Sequence, residues 1–94
     1  MFVVLLKFAD KSRASALMAG HNDWIKRGFD DGVFLAVGGL KPDLGGAVVA
    51  HGVDREALEA RVNEDPFVAE GVVTAEILEI APAKTDERLA FLLG

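Results

Sequence analysis

The chain has 94 residues, 51% of them apolar and 27% charged, with a formal net charge of −5 and no cysteine. That is one small globular domain, and it excludes disulfides, thiolate catalysis and zinc–sulfur centres. No more than two basic residues stand together, which argues against nucleic acid, and the longest apolar runs are too short to cross a membrane.

In chain order, Phe2 to Phe8 is a β-rich run and reads as the first strand. The N-terminus lacks a basic leader and a small-residue cleavage site, so it reads as a strand and not as a signal peptide. With the missing cysteines, this leads us to expect a cytoplasmic protein. Ser12 is placed to cap a helix from about Arg13 to Phe29, with Gly32 just beyond its end. Val33 to Val37 is a second apolar strand, closed by Gly38 and Gly39. The stretch "LKPDLGG" supplies a turn, and Ala47 to Ala50 is a third strand. Asp54 caps a second helix through about Glu64, stopped by Pro66, and Val72 to Ile80 is the fourth strand. The tail after Pro82 carries acids in the first turn of a short helix.

The order β-α-β-β-α-β predicts an α+β, ferredoxin-like domain over residues 1–80 with a C-terminal tail over 81–94. Right-handed crossovers place both helices on one face of a four-stranded antiparallel sheet. The strands are apolar on both sides, however: Phe2, Val4, Leu6 and Phe8 alternate with Val3 and Leu5. Two helices cover one face only, so a second copy of the chain is the expected cover for the other. A tail bearing Leu89, Phe91 and Leu92 is the alternative cover, and it is short for a whole sheet face.

Two stretches carry chemistry. In "LMAGHNDWI", His21 lies four residues after Leu17 and four before Ile25, on the apolar stripe of the first helix. A histidine there is either a boundary residue with one hydrogen bond or an inward-facing acid–base group. In "NEDPFVAEGV", Pro66 forces Asp65 toward extended backbone, giving either a plain helix stop with an Asx turn or a carboxylate aimed by a rigid corner. Gly38 and Gly39 serve the turn or leave room for a small ligand. His51 reads as a strand-end surface residue, and the two histidines lie thirty residues apart with no metal-ligand spacing. No serine or threonine has a neighbouring base.

In order and spacing, the strand "FVVLLKFAD", the helix "AGHNDWI", the strand end "FLAVGGL" and the corner "DPFVAEGVV" resemble the YciI-like (YCII-related) family. The resemblance implies a dimeric α/β-barrel protein with a site pocket holding a histidine and an aspartate, matched here by His21 and Asp65. By that resemblance, a few relatives are similar to lyases that remove chloride from chlorinated hydroquinones, with that pair proposed as catalytic. The expectation is therefore a cofactor-independent lyase or isomerase in which His21 abstracts a proton and Asp65 orients its ring. Trp24, Pro66 and Phe67 would border a small-molecule pocket floored by Gly38 and Gly39. The alternative is a non-catalytic, dimeric small-ligand binder or accessory protein. Asp65 meets His21 only if the Asp-Pro-Phe corner folds inward along the first helix.

Overall fold

The computed structural model describes all 94 residues. Strands β1 (Phe2–Phe8), β2 (Phe34–Leu40), β3 (Gly45–Ala50) and β4 (Val73–Glu79) form one antiparallel sheet in the order β2-β3-β1-β4. Helices α1 (Ala14–Asp30), α2 (Arg55–Asn63) and the single turn α3 (Pro66–Ala69) make the connections. This is the ferredoxin-like α+β arrangement, with first and last strands adjacent.

Alternation along β1 decides which side chains meet the helices. Phe2, Val4 and Leu6 are buried, and pack in one core with Val48, Ala50, Phe34, Trp24, Leu58, Val62 and Val73. The register Val4–Val48 and Val4–Ile77 carries that apolar side across three strands. The opposite side presents Val3, Leu5, Ala47, Val49, Ala36 and Leu78, none of them fully buried.

Three local features depart from the sequence reading. Ser12 does not cap α1. Asp10 caps a 3₁₀ turn over Lys11–Arg13 instead, accepting from the Ser12 backbone N–H at 3.0 Å and from its hydroxyl at 2.6 Å. Those two bonds, the hydroxyl first, hold the Asp10 carboxyl below its ordinary range. Strands β2 and β3 reach further into "LKPDLGG", because Gly45 at φ 136° passes so close to β1 that a Cβ there would lie 1.9 Å from the Leu6 carbonyl oxygen. The second helix does end ahead of Pro66, at Asn63, but Pro66 also opens a further single turn, α3, at whose first position its missing N–H costs nothing.

The tail forms a kinked 3₁₀ segment over Glu87–Leu93, capped by Asp86. Its Phe91 ring meets His51 edge-on at 5.3 Å, while Leu89, Phe91 and Leu93 stay about half exposed. The tail makes few contacts with the sheet and leaves its outer side open.

Candidate functional site

Helix α1 lies across the sheet with Trp24 and Gly28 facing inward. A Cβ at Gly28 would lie 2.0 Å from the Phe34 ring, so α1 sits on β2 at the closest approach a glycine allows. Trp24 is 1% exposed, donates its Nε1–H to the Arg61 carbonyl at 2.8 Å, and meets Phe34 edge-on at 5.0 Å. It ties α1 to α2 within the core and is not part of the pocket wall, contrary to the sequence expectation. A step of three residues from His21 turns its ring past the pocket and into the core.

The Asp-Pro-Phe corner crosses α1 one residue before His21. Gly20 permits this: a Cβ there would stand 3.1 Å from Pro66 Cγ. Pro66 therefore packs on the helix backbone and does not line the pocket. The crossing brings Asp65 against the middle of α1, and its Oδ1 lies 2.8 Å from His21 Nδ1. The same oxygen accepts the Phe67 backbone N–H at 3.0 Å, capping α3. The Asx-type cap and the aimed carboxylate, set out as alternatives for Asp65, are one arrangement.

Asp65 is fully buried, and its Oδ2 has no hydrogen-bond partner. A buried polar atom left unpaired costs about 1–3 kcal/mol, which apolar packing would avoid. The His21 ring lies flat on Phe67, with centroids 4.0 Å apart and planes within 5°. Carboxylate and aromatic face together fix the position and plane of the imidazole. Nε2 makes no bond within the chain and is not sealed from solvent. An ion pair between Arg13 and Glu70, at 3.0 Å, joins the approach to α1 to the end of α3 at the surface.

His21 borders a cleft of about 270 Å³ between α1 and the sheet. Met18, His21, Asn22 and Ile25 come from α1, Leu6 and Phe8 from β1, Val37, Gly38 and Gly39 from β2, and Gly45 and Gly46 from β3. Phe67 and Val73 close one end. Gly39 shares its register with Gly46 and Leu6, so it lies on the helix side of the sheet; Gly38 shares its register with Ala47 and Leu5, on the outer side. His21 is the only titratable side chain on this wall, and Asn22 the only other polar one. A second cleft of about 290 Å³ runs between α2 and β4. Its one cation, Arg55, is engaged by the Ile77 carbonyl at 2.8 Å and by Glu59 at 3.3 Å.

Of the residues expected at the site, His21, Asp65 and Phe67 meet, Gly38 and Gly39 border the cleft, and Trp24 and Pro66 support it from behind. Among the other lining residues are Asn22, Met18 and Gly46. The first two follow the helical spacing 18-22-25 toward Ile25, and Gly46 becomes visible only through its pairing with Gly39.

The model of the YCII-related domain matches residues 1–82. The chain belongs to the YCII-related family. Among curated proteins no sequence matches this chain. A solved structure that resembles this YCII-related protein is the 5-chloro-2-hydroxyhydroquinone dehydrochlorinase of Burkholderia phenoliruptrix, in complex with 2,5-dihydroxybenzoquinone. It superimposes with a TM-score of 0.67 at 12% identity, over 85% of this chain and 93% of the other. At that identity the likeness establishes the shared fold.

Proposed function

We propose that this YCII-related protein is a lyase or isomerase that removes a proton from a small cyclic or aromatic substrate, with His21 as general base. The observation carrying this reading is the fully buried Asp65 carboxylate 2.8 Å from His21 Nδ1, which leaves Nε2 as the free ring nitrogen beside the cleft. With its proton on Nδ1, the neutral ring offers the Nε2 lone pair to a substrate C–H or O–H. When Nε2 takes that proton, the imidazolium is held between the Asp65 carboxylate and the face of Phe67. In an elimination, the electrons of the broken bond form the new double bond, and the leaving group departs with its own pair. In an isomerisation, His21 returns the proton to a different carbon. The dehydrochlorinase that shares the fold supports the elimination reading.

The outer sheet side, with Val3, Leu5, Ala47 and Val49, is the surface through which we propose that two copies associate as a homodimer. A second reading, a dimeric small-ligand binder without chemistry, is favoured by His21 being the only titratable group on the cleft wall. A panel of chlorinated hydroquinones and small lactones separates the two, scored for chloride release, isomerisation and binding. Turnover by the native protein supports the lyase or isomerase; saturable binding with no turnover across the panel assigns the binder.

A further inference from the structure

Gly39 needs neither of the usual reasons for a glycine. Its φ is not in the left-handed region, and a Cβ there would meet nothing nearer than the Gly45 carbonyl oxygen at 3.8 Å, an ordinary contact. An alanine would fit the chain as it stands, and its methyl would project to the helix side of the sheet, over the cleft floor. Beside it, Gly46 is also bare, so two adjacent strands present a strip of backbone without side chains. Opposite this strip stands α1, with Met18, Asn22 and Ile25 on its cleft-facing stripe. A bare backbone floor facing a helix stripe makes a slot suited to a flat molecule.

The chemistry of the slot limits what can enter. Apart from His21, the wall offers one polar side chain, the solvent-exposed Asn22, whose carboxamide is free to meet a ligand that enters the cleft. No lysine or arginine lines the slot, and Lys11, which sits 4.9 Å from the centroid of the lining Phe8 ring, is paired with Asp43. A carboxylate or phosphate moved from water into this slot would lose hydration with no free cation to replace it. A carboxamide offers one donor group and one acceptor, matched to a hydroxyl or carbonyl oxygen.

We propose that the cleft takes an uncharged, planar single ring lying on the Gly39–Gly46 floor, and that Asn22 is the specificity-determining residue that holds an oxygen substituent of that ring. This rests on the cleft being the ligand site; it does not require His21 to be a base. The Asn22 carboxamide holds the ring edge while His21, the preceding residue on α1, faces a neighbouring ring position. Gly39 sets the thickness of ligand that the slot accepts.

The experiment is a binding titration with hydroquinone at pH 8, followed by amide and side-chain NMR shifts. It is repeated with gentisate, which is hydroquinone bearing one carboxylate, and with puckered cyclohexanediol. We expect hydroquinone to shift the Asn22, Gly39 and Gly46 signals, and to bind at least about tenfold more tightly than gentisate, whose charge the slot does not compensate. Cyclohexanediol should bind more weakly than hydroquinone. Gly39→Ala should keep the melting temperature and weaken hydroquinone at least about tenfold by filling the floor. Asn22→Leu should weaken it roughly three- to tenfold, the loss of one neutral hydrogen bond. Equal or tighter gentisate binding, native affinity in both variants, or no hydroquinone binding at millimolar concentration would each overturn the proposal. His21→Gln keeps the two readings apart. Unchanged hydroquinone affinity in a His21→Gln protein that has lost no turnover removes the base and leaves the slot. A carboxylate substrate turned over only when His21 is present does the reverse.

Discussion

Asp65 Oδ1 is a shared acceptor: one oxygen takes both the Phe67 N–H and the His21 ring. That sharing lets orientation be separated from charge. In Asp65→Asn the amide oxygen can keep both bonds while the amide nitrogen takes the place of Oδ2, so the proton stays on His21 Nδ1. What disappears is the negative charge facing the imidazolium. Exchanging a charge-assisted bond for a neutral one costs about 1–2 kcal/mol, roughly a 5- to 30-fold slower proton abstraction. Long-range proton–nitrogen NMR of the neutral ring should show His21 protonated at Nδ1 and bare at Nε2, in both the native protein and Asp65→Asn. A native protein with the proton on Nε2 would mean that the free nitrogen is already occupied and cannot serve as the base. A leucine at position 21 is a poor probe here, since it strands a buried carboxylate.

At the level of elements, the site depends on where α1 can rest. Gly28 lets the helix settle on Phe34, and Gly20 lets Pro66 cross it; together they set the height of His21 above the sheet and bring Asp65 alongside. Gly28→Ala would force a methyl into a ring already packed edge-on against Trp24 and Phe29. Overpacking of this kind costs about 1–3 kcal/mol, and each kilocalorie lowers the melting temperature of a domain this size by roughly 4–8 °C. A melt within one degree of native would show that α1 has room that the fold denies it. The order of strands and helices was legible from apolar runs, caps and turn residues, because those signals are local. His21 was legible as an odd polar residue in a stripe, and Asp65 as an acid before a proline. Their meeting was legible only through the family resemblance that pairs them, since the local signals do not contain it: the 2.8 Å contact depends on two glycines whose value appears only once helix, corner and strand are stacked. Trp24 lies in the core and not on the cleft wall for a related reason: its spacing puts it on the inward stripe but does not say whether core or cleft lies beneath.

For the whole molecule, one face of the sheet is roofed by α1 and α2 and the other is not. No helix is long and apolar enough to cross a membrane. The tail leaves Leu89, Phe91 and Leu93 half exposed and does not close the outer side. Covering that side with a second sheet removes apolar surface at about 25 cal/mol per Å², and two copies of one surface satisfy each other by a two-fold axis. Sedimentation should therefore find a dimer at micromolar concentration, and Val49→Lys, whose charge would sit between the two sheets, should shift it toward monomer. A native protein that sediments as a stable 10.0 kDa monomer would contradict this assembly.

The central claim is that His21 is a base, held by Asp65 and working into the cleft, and the rate of a His21→Gln protein tests it most directly. Glutamine keeps a donor within reach of the Asp65 carboxylate, so the corner and the melting temperature should survive, but it cannot accept a proton near neutral pH. On whichever substrate of the panel the native protein turns over fastest, the account predicts a loss of roughly 10²–10⁴-fold in kcat for this variant. A folded His21→Gln protein with the native rate would contradict it.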